Sequence, residues 1–227
     1  MSNWIELTAA DGFVFPCYRA SPQALPKGAI VVLQEIFGVN SHVRAVADGY
    51  AAAGYLALAP ATFHRAQAGV ELAYEPEDMT VGIALKTAIE NLSSPGVMQD
   101  IQAAIDEAAK AGKVGIVGYC WGGLLTWRSA CLLKGLSAAV PYYGGGMTTE
   151  TEAARHPVCP VLAHFGDQDH WIPSETVTSF KSAQPAVQVQ VYGANHGFNC
   201  DQRASYNEAA AQLARQRSLL FFETHLS

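Results

Sequence analysis

The run Val114-Gly115-Ile116-Val117 passes directly into Gly118-Tyr119-Cys120-Trp121-Gly122-Gly123. Its first half is short, continuous and apolar, which suits a strand buried on both faces. Its second half places a cysteine between two glycines, and residues 122–133 continue with a helical pattern. Strand, tight turn and helix in this order form the setting that a Gly-x-nucleophile-x-Gly elbow requires. The turn holds its central residue in strained geometry, so Gly118 and Gly122 leave room beside it. The following helix offers free N–H groups and the positive end of its dipole, an environment that favours a thiolate over a thiol. A glycine-rich turn with an incidental cysteine fits the same letters, so the assignment depends on the rest of the chain.

Outward from this stretch, short apolar runs alternate with helical patterns. Strands are expected at residues 29–33, 56–59, 114–117, 138–142, 161–165 and 187–191. Helices are expected at 42–53, 97–110, 122–133, 174–182 and from 205 to about 224. Such alternation predicts one α/β domain over residues 1–227, with a mostly parallel central sheet and helices on both faces. Ligands of such sheets sit at the carboxyl ends of the strands. Residues 66–80, with Gly69, Pro76 and several acids, are less regular and read as a lid or cap over that edge.

Composition sets the outer limits. The chain has 227 residues, 50% of them hydrophobic, enough for one sizeable core. The net charge of -6, with both signs interspersed, gives no basic face for nucleic acid. No apolar run reaches membrane-span length and the first residues lack signal-peptide character, so a soluble, cytoplasmic protein is expected. The five cysteines, Cys17, Cys120, Cys131, Cys159 and Cys200, form neither a disulfide framework nor a Cys-x-x-Cys pair. The histidines are scattered without paired ligand spacing, so neither a metal nor any other cofactor is expected.

If Cys120 is a nucleophile, an acid and then a histidine should follow later strands. The strand at 161–165 leads into Gly166-Asp167-Gln168-Asp169-His170. The strand at 187–191 leads into Gly193-Ala194-Asn195-His196-Gly197-Phe198. Both loops fall on the sheet edge that carries Cys120. Asp169, further into its loop, is preferred over Asp167, which reads as an ordinary turn residue after Gly166. His164, inside a strand, reads as a satisfied core histidine, while His64 and His170 lie near the site loops.

These blocks, together with Val32-Leu33-Gln34-Glu35-Ile36-Phe37-Gly38-Val39-Asn40 and Trp171-Ile172-Pro173, resemble the dienelactone hydrolase family of α/β-hydrolases. The resemblance runs nearly the whole chain in the right order. It implies a triad of Cys120, Asp169 and His196, and gives Glu35 a part in switching the resting thiol to an attacking thiolate. It places the oxyanion hole at the backbone N–H groups of Ile36 and Trp121. Tyr142 and Tyr143 fall in a family tyrosine region, and Phe37, Trp121 and Trp171 are expected to line an apolar wall.

Family members that cleave dienelactone hold its carboxylate with arginines. Here none lies between Arg65 and Lys86, and Arg203 stands later than expected after His196. Selection for an anionic lactone should therefore be weaker. The function expected is hydrolysis of a small ester or lactone by water through a thioester, in a monomer or small homo-oligomer. Acyl transfer to another nucleophile uses the same triad. A non-catalytic binding protein of this fold would be expected to carry a damaged one.

Overall fold

In the computed structural model, which describes residues 2–226, one eight-stranded sheet organises the chain in the order β1-β2-β4-β3-β5-β6-β7-β8. The strands are β1 (Ser2–Thr8), β2 (Val14–Ala20), β3 (Ala29–Leu33), β4 (Leu56–Pro60), β5 (Val114–Tyr119), β6 (Leu136–Tyr142), β7 (Leu162–Gly166) and β8 (Gln188–Tyr192). Between and after them run α1 (Ser41–Ala52), α2 (Pro76–Glu90), α3 (Met98–Ala108), α4 (Trp121–Leu132), α5 (Glu150–Ala153), α6 (Ser174–Ala183) and α7 (Glu208–Leu226). From β3 onward every strand pair is parallel. β1 and β2 form an antiparallel hairpin, and β2 lies antiparallel against β4.

β3, β4 and β5 are buried along their whole length, which is why they read as unbroken apolar runs. β5 also demonstrates the two-sided cover. Gly115 lies against Phe222 and Leu226 of α7, and Gly118 lies against Gly122 and Thr126 of α4. Residues at odd separation point to opposite faces of a strand, so these helices cover opposite faces of the sheet.

The N-terminal hairpin and residues 66–80 depart from the sequence reading. The hairpin β1–β2 was not anticipated, because β1 is largely exposed and Pro16 interrupts β2. Residues 66–80 do not stand apart as a lid: their last part opens α2, and the preceding stretch is fastened to the loop after β3. Leu72 N–H donates to the Phe37 carbonyl at 2.9 Å, and Asn40 donates to the Leu72 carbonyl at 3.0 Å. Gly38 (φ +81°) accepts this cover because a Cβ there would run into the Val70 backbone. Gly82 of α2 similarly leaves space for the Ile36 carbonyl.

Candidate active site

Cys120 joins β5 to α4 with φ 56° and ψ -118°, outside the region that ordinary L-residues occupy. Its neighbours explain how that backbone is held. A Cβ at Gly118 would meet the Gly122 carbonyl, one at Gly122 would meet the carbonyls of Leu33 and Gln34, and one at Gly123 would meet Tyr142 and Gly144. Cys120 N–H donates to the Tyr142 carbonyl at 3.1 Å, and the Cys120 carbonyl accepts from Gly123 at 2.9 Å. The thiol is half-buried at the carboxyl edge of the sheet.

Asp169 and His196 arrive at this edge from the loops after β7 and β8. His196 Nδ1 lies 2.7 Å from Asp169 Oδ2, and both side chains are buried. The second Asp169 oxygen accepts the Trp171 backbone N–H at 2.8 Å, so the carboxylate is fixed at both ends. Asp167 is exposed, with its backbone N–H bonded to the Tyr192 carbonyl. Burial pushes the His196 imidazolium down. The negative charge of Cys120, the Asp169 carboxylate that accepts its proton, and a hydrogen bond with Cys120 outweigh that burial and hold the ring up at about 10.

Glu35 follows β3 and is 1% exposed. Its Oε1 accepts from Arg203 Nη1 at 3.2 Å, and its Oε2 has no partner among the described residues. Arg203 thus reaches the site in spite of its late position in the chain. Its guanidinium lies over the rings of Phe37 and Tyr74, at 5.6 and 5.7 Å. It also packs against Gly197 (φ +78°), where a Cβ would come within 2.5 Å of Nη1. The negative charges of Glu35 and Cys120 both act on Arg203 and keep it protonated against its burial.

The backbone donors expected for an oxyanion belong to the start of α4 and to the turn after β3. Trp121 begins α4, so its N–H has no acceptor within the helix. The Gln34 side-chain amide donates to the Glu35 carbonyl at 3.3 Å. That fixes the peptide plane and turns the Ile36 N–H to the opposite side.

The aromatic assignments need correction. Tyr142 belongs to the core: its hydroxyl pairs with Ser218 of α7 at 2.7 Å and its ring packs on His164. Tyr143 (φ 35°) takes its place at the site, with its ring centroid 5.1 Å from that of His196 and its buried hydroxyl unpartnered. The Trp121 indole turns away, stacking on Phe63 and donating to Glu90. Trp171 does not line a buried wall, since its side chain is 70% exposed and its link to the site is the backbone bond to Asp169. Phe37 is buried against Tyr74, which the sequence reading had not singled out. His164 is a core residue, hydrogen-bonded to Tyr192 and Ser218 and pushed down to about 3 by burial. His170 is exposed, and His64 packs beside Phe13.

Known proteins share this arrangement of sequence and fold. Residues 15–226 match the dienelactone hydrolase family. A carboxymethylenebutenolidase from Pseudomonas putida is 33% identical, over 97% of this chain and 96% of its own. A putative carboxymethylenebutenolidase from Synechocystis is 36% identical, over 92% of this chain and 91% of its own. The crystal structure of a putative dienelactone hydrolase from Klebsiella pneumoniae superposes with a TM-score of 0.80 at 30% identity, covering 98% of both chains.

Proposed function

The chain belongs to the dienelactone hydrolase family, and we propose that it cleaves its ester or lactone substrate through a thioester on Cys120. As a family member it is a hydrolase of carboxylic ester bonds. The observation that carries the cysteine mechanism is the buried Asp169–His196 pair at 2.7 Å, placed where the charge of Cys120 acts on the His196 ring.

In this reading the Cys120 thiolate adds to the carbonyl carbon. The carbonyl electrons move onto oxygen, where the Ile36 and Trp121 N–H groups receive the charge. The adduct collapses to a thioester, and His196 gives its Nε2 proton to the departing oxygen. Water then adds to the thioester with His196 as base, and collapse returns the Cys120 thiolate and releases the acid. Asp169 keeps the ring oriented and stabilises its protonated form. A thiolate leaves a tetrahedral adduct more readily than a simple alkoxide does. Forward reaction therefore favours substrates with a good oxygen leaving group, such as enol esters and strained lactones, over amides.

Arg203 bears on the substrate. It supplies, from an unexpected position, a cation beside the nucleophile. A carboxylate-bearing substrate would compete with Glu35 for its guanidinium. Glu35, already carrying one unpartnered oxygen, would then lose its ion-pair partner at Oε1 as well. On this reading Arg203 favours an anionic substrate, where the missing upstream arginine argues for weaker selection.

Cys120→Ala is expected to lower kcat/KM for an activated ester at least about a thousandfold and to remove the acyl adduct seen by mass spectrometry in wild-type protein. Retained activity would place the nucleophile elsewhere. Comparing carboxylate-bearing with neutral esters tests the Arg203 reading: Arg203→Ala should depress kcat/KM mainly for the anionic ones.

A further inference from the structure

Beside the catalytic groups lies a second cluster that the mechanism does not use. His42 stands in the first turn of α1, while Cys200 and Asp201 lie in the loop between His196 and Arg203. One donor atom from each falls within 4.8 Å of the others. His42 is 3% exposed and Cys200 is fully buried, whereas the Asp201 side chain is 66% exposed. His42 Nδ1 is 3.2 Å from Asp201 Oδ1, and its Nε2 has no partner among the described residues. The two ring nitrogens point out of opposite sides of an imidazole, so Nδ1, not Nε2, is the His42 atom that faces Asp201. A cavity of about 220 Å³ adjoins the cluster, lined by His42, Tyr119, Asn199, Asp201 and Tyr206.

We propose that His42, Cys200 and Asp201 form a binding site for a divalent zinc-type ion, which clasps the loop after His196 to the start of α1. Imidazole nitrogen, thiolate and carboxylate together make a borderline-soft donor set suited to tetrahedral Zn²⁺, with water from the cavity as fourth ligand. Bonds of about 2.0–2.3 Å bring such donors to roughly 3.5 Å apart, so the cluster must close slightly, and exposed Asp201 is the member free to move. Binding replaces the Cys200 thiol proton, which leaves to solvent, and takes the His42 Nδ1 lone pair that faces Asp201, with the ring proton on Nε2. Ligands this distant in sequence leave no spacing pattern to read. Cys200 also lies within electrostatic reach of Glu35 and Arg203, so that pair would feel the ion's charge.

The test uses full-length Cys120→Ala, which removes the other thiol that could hold an ion with His196. Titration with Zn²⁺ against a chromophoric chelator should find one ion per chain, and Co²⁺ should give a thiolate-to-metal charge-transfer band. Adding Cys200→Ala should abolish the band and weaken Zn²⁺ binding more than about a hundredfold, and Asp201→Asn should weaken it about tenfold. Should the Cys200 variant not fold, Asp201→Asn decides, because its Zn²⁺-induced rise in Tm must be smaller than that of the Cys120→Ala parent. Failure of Cys120→Ala to retain Zn²⁺ at micromolar concentration overturns the proposal, as does a band that persists without Cys200.

Discussion

His196 is held protonated by two neighbours whose contributions can be separated. Without the charge of Cys120, burial and Asp169 alone decide, so Cys120→Ala should move the ring's titration down from about 10 toward its ordinary 6.5. Imidazole NMR through a pH series reads this directly, and an unmoved midpoint would mean that Asp169 alone sets it. The sign for stability follows. The folded value stands above the unfolded one, so the stabilisation is complete below about 6.5 and is lost as pH rises through 10. Cys120, Asp169 and His196 were legible in the sequence because each follows an apolar strand at the same sheet edge. Arg203 and Tyr143 were named from the sequence, but the places they take were not legible. Arg203 reaches Glu35 only because the Gly197 turn folds the chain back. Tyr143, rather than Tyr142, faces the site because its positive φ redirects the chain just past β6.

At the scale of elements, the elbow is a close approach of three backbones: β3, β5 and the first turn of α4. Gly122→Ala puts a methyl group against the Leu33 and Gln34 carbonyls, neither of which can turn aside without leaving its place in the sheet edge. The variant is expected to lose about 3 kcal/mol in urea denaturation and most of its activity, since the same shift moves Cys120 and the Glu35–Ile36 peptide. A variant of wild-type stability and activity would show that the elbow is looser than its contacts imply. The buried parallel strands were readable because burial on both faces demands unbroken apolar runs. α2 was hidden, since its buried face is only Gly82, Leu85 and Ile89 and a glycine lies mid-helix. Its entry signal was nevertheless present: Pro76 at the first turn, followed by Glu77 and Asp78.

Across the whole molecule, the parallel core was predictable from strand–helix alternation, but the antiparallel β1–β2 hairpin was not. Its attachment depends on contacts between segments far apart in sequence. Arg65, in the loop after β4, donates to both carboxylate oxygens of Asp100 in α3 at 2.7–3.0 Å, and to Asp11 in the β1–β2 turn at 2.8 and 3.0 Å. Its guanidinium also lies 4.3 Å from the Phe13 ring centroid. The Asp100 side chain is only 2% exposed, and burial raises its carboxyl even with Arg65 beside it. Arg65→Met keeps much of the side-chain volume but leaves that carboxylate buried without its cation, so at neutral pH a loss of about 3 kcal/mol is expected. Protonating Asp100 removes the unpaired charge. The deficit relative to wild type should therefore shrink as pH falls, because the Asp100 carboxyl, already raised by burial, is protonated more readily still once Arg65 is gone. Urea denaturation of both proteins at neutral and mildly acidic pH measures this. An equal deficit at the two pH values would mean that Arg65 secures the hairpin by packing on Phe13 rather than by charge.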